Sequence, residues 1–375
     1  MKILVTGGAG FIGSRLCVAL ARRGHEVTAV DNLSPQIHGP HCTLRRARAG
    51  LQGCRLIQGD VLDKALLRKV AQGQEAIVHL AAETGTGQSM YQIARYSEVN
   101  VCGTAIVLDA VAEGARDLKK FVLASSRAVY GEGAYRCGTH GSFHPGSRPE
   151  HELAAGRFDL TCPKCGKVAR VVATREDAAI QPISVYGATK FQQEQTVSVV
   201  CQSLRIPSVA LRFQNVYGPG QSLANPYTGI LSIFSRLLLA GRDLNIFEDG
   251  RESRDFVYVD DVISAVVSAT EADSTGHKVF NVGTGRPVSV QRIAELLKKA
   301  YGTGGEIRVS GQYRTGDIRH NYAAISKIRR EFGFKPSVRL EEGLGIFANW
   351  ARTQDAAPDN FGRSLAELRK RGLLK

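Results

Sequence analysis

Ser126 and the run Tyr186-Gly-Ala-Thr-Lys190 hold the side chains best suited to moving a proton. The second group reads Y-x-x-x-K. Positions four apart share one face of a helix, so the Tyr186 phenol and the Lys190 ammonium would reach the same small volume. A free tyrosine titrates near pH ~10 and is a poor base at neutral pH; a neighbouring cation favours the phenolate and lowers that value. Ser126 would hold a substrate oxygen while Tyr186 exchanges its proton. Taken alone, the pattern equally fits an ordinary solvent-facing helix, because both residue types are common.

The N-terminal elements narrow that choice. The chain opens Lys2-Ile-Leu-Val-Thr-Gly7-Gly-Ala-Gly10-Phe-Ile-Gly13, an apolar run ending in glycines spaced G-x-x-G-x-x-G, followed by a helical pattern through Leu16, Ala19 and Leu20. Glycines let a backbone approach a pyrophosphate, and the helix N-terminus offers free N–H groups and a favourable dipole. A second strand from His25 to Val30 ends at Asp31, whose carboxylate suits adenosine ribose hydroxyls and would repel a 2′-phosphate, favouring NAD over NADP. Asp60 and Val61, after a strand from Arg55 to Gln58, suit a contact to adenine. A fourth strand, Ala76–Leu80, leads into Ala81, Ala82 and Glu83. The β-α-β rhythm predicts an α/β fold with a Rossmann-type doubly wound parallel sheet.

With these residues the chain resembles the extended short-chain dehydrogenase/reductases, specifically their nucleotide-sugar epimerases, from Met1 to about Trp350. The motifs are T-G-G-A-G-F-I-G (Thr6–Gly13), D-N-L (Asp31–Leu33), G-D-V (Gly59–Val61), H-L-A-A (His79–Ala82), Asn100, S-S-R-A-V-Y-G (Ser125–Gly131) and Y-G-A-T-K. They continue with R-F-Q-N-V-Y-G-P (Arg212–Pro219), R-D-F-V-Y-V-D-D (Arg254–Asp261) and F-N-V-G-T-G (Phe280–Gly285). The resemblance implies an NAD site at Gly7, Gly10, Phe11, Ile12, Gly13, Asp31, Asn32, Asp60, Val61, Leu80, Ala81, Ala82, Asn100, Tyr186 and Lys190. It implies a reaction in which Tyr186 takes a sugar hydroxyl proton as hydride leaves the same carbon, the keto sugar turns over, and hydride returns to its other face. Lys190 would also grip the nicotinamide ribose. Asn215 would touch the sugar or diphosphate, and Arg254 and Arg314 would neutralise the diphosphate, a role that suits planar guanidinium groups. Arg254 lies between Glu252 and Asp255, so simple pairing is the alternative.

Related sugar 4,6-dehydratases carry Thr-Asp-Glu where this chain has Ser126-Arg127-Ala128. Without that acid and base, dehydration is not expected. Arg127, next to the triad, either shapes substrate choice or points into solvent. Finer motifs resemble the dTDP-L-rhamnose 4-epimerases: D-N-L-S-P-Q-I-H-G-P (Asp31–Pro40), A-A-E-T-G-T-G-Q-S-M-Y (Ala81–Tyr91), A-N-P-Y-T-G (Ala224–Gly229) and G-D-I-R-H (Gly316–His320). Thr84, Gly85, Thr86, Met90 and Asn225 are the expected sugar-pocket residues. The implied function is an NAD-dependent nucleotide-sugar 4-epimerase acting on dTDP-L-rhamnose and dTDP-6-deoxy-L-talose for surface polysaccharide. The alternatives are another sugar nucleotide, such as UDP-glucose/galactose or an amino or uronic derivative, and a non-catalytic NAD-binding regulator.

Ser126 and Tyr186 stand 186 − 126 = 60 positions apart, a longer gap than in many relatives. The extra segment, 132–179, contains Cys137-Gly-Thr-His140 and Cys162-Pro-Lys-Cys165. Two such pairs separated by 21 residues (141–161) carry zinc-ribbon spacing. The expected ligands are Cys137, His140, Cys162 and Cys165, with His144 as an alternative to His140. Such a closed four-ligand site is structural rather than catalytic. A hairpin with free thiols and a Cys162–Cys165 disulfide are the other readings. Leaving after the serine and returning before the tyrosine, the insertion is expected to cover the active-site mouth.

At 375 residues the chain suits an NAD-binding domain (1–190, with the insertion), a smaller α+β nucleotide-sugar lobe (191–350, some elements returning to the Rossmann core) and a tail (351–375). Net charge is +14, and residues 285–375 hold 18 Lys/Arg against 9 Asp/Glu, a surplus of nine. These charges are scattered, without runs of five or interleaved aromatics, which favours a field around a diphosphate over nucleic-acid binding. No stretch of 18 apolar residues suggests a membrane span, and the opening strand leaves no room for a signal peptide. Eight irregularly spaced cysteines do not resemble a disulfide framework, so a cytoplasmic protein is expected. The ending Arg369-Lys-Arg371-Gly-Leu-Leu-Lys375 reads as a frayed helix end. The resemblance implies a homodimer through the helices near Val99–Ala115 and around Tyr186, although apolar stripes there serve core packing as well.

Overall fold

The structure, a computed structural model, describes the chain apart from residues 40, 224, 226, 228, 303–304 and 355–359, and describes only the backbone of 360, 361 and 363. Parts of two sequence motifs, Pro40 and Ala224, Pro226 and Thr228, therefore lie outside the described residues, as does part of the 351–375 tail.

Along the chain the strands are β1 (Lys2–Thr6), β2 (Glu26–Asp31), β3 (Cys54–Gln58), β4 (Ala76–His79), β5 (Lys120–Ser126), β6 (Ala134–Cys137), β7 (Gly141–Phe143), β8 (Arg170–Val172), β9 (Ser208–Phe213) and β10 (Asn215–Tyr217). They continue with β11 (Leu244–Ile246), β12 (Ser253–Tyr258), β13 (His277–Val282), β14 (Pro287–Ser289), β15 (Ile307–Val309) and β16 (His320–Asn321). Seven form the central sheet in the order β13-β9-β5-β4-β1-β2-β3, every pair parallel. Both faces of this sheet are covered, which is why its strands read as continuous apolar runs. Ile3 and Val5 join one core with Ala76, Val78 and Val122, while Leu4, Ile77, Phe121 and Leu123 join a second core on the other face. The strand order reverses between β1 and β4, and ligands of such sheets bind outside the carboxyl ends of the strands at that point.

β10, β12, β14 and β16 form a second sheet, and β11 pairs with β15. Helices Ile230–Leu239, Val290–Tyr301 and Leu340–Arg352 pack beside them. β9 and β13 belong to the central sheet. The 132–179 segment carries its own antiparallel sheet β7-β6-β8 around Tyr135, Leu160 and Ala169.

The chain end is not a frayed helix. Asn360–Lys370 is helical, and the residues beyond it turn back onto the Tyr313–Thr315 strand-like segment. The Tyr313 amide donates to Lys375 O at 2.9 Å, Lys375 N to Tyr313 O at 3.0 Å, and Thr315 N to Leu373 O at 3.0 Å. Burial of Leu368 and Leu374 supplies the apolar drive that the basic composition obscures. Among the described residues no helix is long and apolar enough to cross a membrane.

Candidate functional site

The glycine loop between β1 and the helix Phe11–Arg22 is packed backbone to backbone. Gly7 has φ +68°, and a Cβ there would lie 2.8 Å from the Ala81 amide nitrogen. On Gly13 a Cβ would meet Gly7 O at 2.1 Å. No other residue fits these two positions. Gly10 caps the helix, placing Phe11 and Ile12 in its first turn. Thr6 Oγ1 receives the Ala81 amide at 3.3 Å, and the Leu80 amide donates to Thr6 O, so the ends of β1 and β4 meet at the loop.

Asp31 closes the same mouth from β2. Its carboxylate accepts the Ala9 amide at 3.0 Å and the Leu33 amide at 2.9 Å, and it faces His38 Nε2 at 3.2 Å. Burial pushes its pKa up, but the His38 hydrogen bond and charge and the two amides hold it below its usual range. It is a fixed anion beside the loop. Asn32 Nδ2 donates to Asp60 at 2.9 Å, and Val61 packs where a Cβ on Gly103 would sit. Asn100 lies in a π-helical turn, Ser97–Cys102, a distortion frequent at functional sites. Its side chain bonds the Glu83 amide and carbonyl and donates to Thr189 Oγ1 at 3.0 Å. All the sequence-predicted cofactor residues thus sit along the carboxyl edge of β1, β2, β3 and β4 or on the helices facing it.

Ser126 ends β5, and Tyr186 and Lys190 lie on the first turns of the helix Val185–Ser203, capped by Ser184 Oγ through the Gly187 amide. The helix comes close because Gly187 leaves room; a Cβ there would stand 2.5 Å from Ala128 O. Lys190 Nζ donates to Ala124 O at 2.9 Å, and burial lowers its pKa to about 7. Here the structure corrects the sequence expectation. Burial raises the Tyr186 phenol, and the Ser126 hydroxyl and the Arg127 charge offset only part of the rise. Only Ser126 and Arg127 lower the phenol in the NAD-free chain, so Lys190 does not depress it by itself. The Tyr96 ring meets Tyr186 edge-on at 6.4 Å, and Tyr96 Oη donates to Thr84 O.

Sequence reasoning passed over several supports. His79 is buried between Thr6 Oγ1 (2.7 Å) and Thr104 Oγ1 (2.9 Å), and burial and the Lys190 charge lower its pKa to about 3, so it stays neutral. Arg212 and Glu194 form a buried pair at 2.6 Å under β5, with Ser125 also bonded to Glu194 and Arg212 to Tyr130 Oη. The H-L-A-A and R-F-Q-N motifs held these residues, but their partners are distant in sequence.

On the substrate side, Asp317 collects arginines. Its carboxylate pairs with Arg254 and Arg314 at 3.0 Å each, and its carbonyl accepts Arg148. Arg254 is therefore paired, but with Asp317 rather than its sequence neighbours. Its terminal nitrogens also donate to Ser253 O, Arg319 O and Ile318 O, so it acts as a fixed charge rather than a free fork. Arg314 keeps a buried Nε without a partner. Arg127 points inward, not into solvent: burial and the nearby Arg254 charge lower its pKa to about 10, and it has no ion-pair partner among the described residues. Asn215 Oδ1 and Asn225 Nδ2 are likewise buried without partners among the described residues. Gly85 abuts Tyr227 and Tyr91 Oη donates to Tyr227 Oη at 2.9 Å, so the 84–91 segment, with Thr84, Thr86 and Met90, faces Tyr227. The returned tail adds Arg371 over the Tyr91 ring at 4.4 Å.

In the insertion, Cys137, His140, Cys162 and Cys165 bring one ligand atom each within 4.8 Å of one another. Cys137 Sγ lies 3.7 Å from Cys165 Sγ, and His140 Nδ1 lies 3.8 Å and 3.4 Å from the Cys137 and Cys162 sulfurs. A tetrahedral zinc with bonds of about 2.3 Å to sulfur and about 2.0 Å to nitrogen needs edges of roughly 3.5–3.8 Å. The donor set fits that ion. Backbone amides of His140 and Thr139 lower the Cys137 thiol to about 6, toward the thiolate a metal binds. His140, not His144, completes the group.

The chain is 39% identical over 353 residues to the dTDP-L-rhamnose 4-epimerase of Burkholderia thailandensis, covering 93% of this chain and 94% of that one. The UDP-glucose 4-epimerase of Thermotoga maritima, solved with UDP-glucose, superposes with TM-score 0.75 at 30% identity, covering 94% and 99% of the two chains. The UDP-glucuronic acid 4-epimerase of Bacillus cereus, in complex with UDP-glucuronic acid and NAD, gives TM-score 0.75 at 28% identity over the same shares. The sequence pattern of the NAD dependent epimerase/dehydratase family matches residues 3–148 and 160–283, and the gap between the two stretches falls inside the insertion. With that match on this parallel sheet, the chain belongs to the NAD-dependent epimerase/dehydratase family.

Proposed function

We propose that the protein is an NAD-dependent nucleotide-sugar 4-epimerase interconverting dTDP-L-rhamnose and dTDP-6-deoxy-L-talose for surface polysaccharide. The observation carrying this reading is the meeting of Ser126, Tyr186 and Lys190 beside the glycine loop, with Arg254 and Arg314 sharing one carboxylate, Asp317, and the Arg127 charge close by. That surplus of positive charge, with Arg254 buried and Arg127 and Arg314 partly open, suits a diphosphate. Bound NAD would supply hydride acceptance and return at the sugar carbon.

The remaining roles fall to the chain. Gly7, Gly10 and Gly13 let the backbone N–H groups approach the pyrophosphate, with the helix Phe11–Arg22 behind them. Asp31 accepts ribose hydroxyls. Lys190 has one N–H on Ala124 O and would offer its others to the nicotinamide ribose. Ser126 holds the sugar hydroxyl, and Tyr186 takes its proton and later returns it. The arginines anchor the diphosphate while the keto sugar turns over, with Asn215, Asn225, Thr84, Gly85, Thr86 and Met90 around it. We read 1–190 with β9 and β13 as the cofactor unit, most of 191–350 as the substrate lobe, and the returned tail as one of its walls.

A structural zinc on Cys137, His140, Cys162 and Cys165 completes the insertion, and metal analysis of freshly reduced protein should find one zinc per chain. Val199, 68% exposed on the Tyr186 helix, suits a homodimer contact. The free thiols suit a reducing cytoplasm. One observation favours a second substrate: the unpaired Arg127 beside the triad would suit a uronate carboxylate. Proton NMR of purified protein with dTDP-L-rhamnose, UDP-glucuronate and UDP-glucose in parallel decides. A new H4 signal in the first tube alone supports the proposal; turnover only of a UDP-sugar moves the substrate, and silence in all three tubes opposes the epimerase reading.

A further inference from the structure

The insertion grips the segment Tyr313–Arg319 at three separate points. Leu153 and Phe158 bury Tyr313 between the two parts of the chain. Arg148 Nη2 donates to Asp317 O at 3.0 Å while its guanidinium pairs with Glu132 at 3.0 Å and Glu248 at 2.7 Å. Arg319, fully buried, is enclosed on its side chain by Asp159 (2.8 Å), Asp249 (2.6 Å) and Glu248 (3.0 Å), and its backbone amide donates to Glu132 at 2.7 Å.

Glu132 and Asp159 stand five residues before Cys137 and three before Cys162, so the two short segments that lead into the Cys/His cluster carry carboxylates that hold Arg319. Between the outer two, Tyr313 and Arg319, lie Arg314 and Asp317. Arg254 completes the path, donating to Arg319 O and Ile318 O and pairing with Asp317.

We propose that the metal-held insertion is a clamp that positions the diphosphate-binding arginines, with Arg148 and Asp159 as positioning residues acting through Arg319 and Asp317. The inference deepens the epimerase reading and rests on its diphosphate site. A zinc ion fixes the ends from which Glu132 and Asp159 project. Without it the small sheet β7-β6-β8 has only its own minor core to hold those ends, and the buried guanidinium of Arg319 loses a fixed partner. Arg314 and Asp317 then sample positions in which the diphosphate is poorly met. The nicotinamide side, built from β1, β4 and β5, has no part in this path.

Isothermal titration of the purified, NAD-containing protein with dTDP and with UDP tests the clamp, alongside zinc content, NAD content, and KM and kcat for the turned-over sugar nucleotide. Cys162→Ser should abolish zinc, weaken nucleoside diphosphate binding at least tenfold and raise KM in parallel, with kcat within about threefold and NAD content unchanged. Asp159→Asn keeps all four metal ligands and should keep zinc, yet weaken binding about tenfold. It serves as the test if Cys162→Ser does not fold. Binding within twofold of wild type in zinc-free protein or in Asp159→Asn overturns the clamp. So does NAD loss in step with binding, which marks a general loss of fold. A wild-type protein that binds neither dTDP nor UDP overturns the diphosphate site itself, and the clamp with it; turnover of an unexpected sugar leaves these binding results unaffected.

Discussion

Replacing Lys190 with methionine should remove a specific part of the protein's pH-dependent stability. The amine is 3% exposed, and burial lowers its pKa to about 7 in the folded NAD-free chain, against an ordinary value of 10.5. Between these two values the unfolded chain binds a proton that the folded chain has released, so this group makes stability rise with pH. Below about pH 7 both states are protonated, and the full cost of burying the charge is present. Linkage with these two values gives a wild-type gain of about 2 kcal/mol between pH 7 and pH 9. Methionine fills a similar volume and has no proton to release. Every other titrating group is common to the two proteins, so the difference between their stabilities isolates Lys190. Urea unfolding of NAD-free wild type and Lys190→Met at pH 7, 8 and 9, compared at equal m, reads that difference directly. The methionine variant's advantage should shrink by about 2 kcal/mol across the range, and its turnover should be lost. Stability curves that run parallel in pH would refute the claim that Lys190 is held as a desolvated amine.

Tyr186→Phe should fold and retain NAD yet lose turnover by roughly 10²–10⁴-fold, the usual worth of a positioned proton carrier; turnover within tenfold of wild type assigns the proton transfer elsewhere. Gly13→Ala puts a methyl 2.1 Å from Gly7 O, so NAD content of the purified protein should fall sharply and stability by about 1–3 kcal/mol, and an NAD-replete variant would contradict the loop geometry. Arg212→Met leaves Glu194 buried without its cation, at a cost of about 3–5 kcal/mol in urea unfolding, whereas the double variant with Glu194→Met should cost less than that single change. Additive losses would show that the pair is not coupled.

What was legible in the sequence is what local spacing encodes. The G-x-x-G-x-x-G loop, the strand ending at Asp31, and the four-residue step from Tyr186 to Lys190 all fall within single elements or adjacent ones. The two Cys/His pairs were legible for the same reason, since each lies on one turn. What escaped was set by packing across long separations. Nothing near His79 announces that Thr6 and Thr104 will bracket it, and nothing near Asp317 announces Arg254, 63 residues away. Composition misled at the C-terminus, where a basic helix hid two buried leucines, Leu368 and Leu374, that draw the end back onto Tyr313. Charge proximity misled at Tyr186, because spacing says that Lys190 is near but not that burial raises the phenol and lowers the lysine.

The most direct test of the central proposal uses dTDP-L-rhamnose carrying deuterium at C4, incubated with the purified enzyme in ordinary water and followed by NMR and mass spectrometry. Transient oxidation with return of the same hydride predicts dTDP-6-deoxy-L-talose that keeps its deuterium at C4, with no net NADH formed. Product that has exchanged its C4 deuterium for solvent hydrogen, or substrate left unconverted by NAD-replete enzyme, would contradict it.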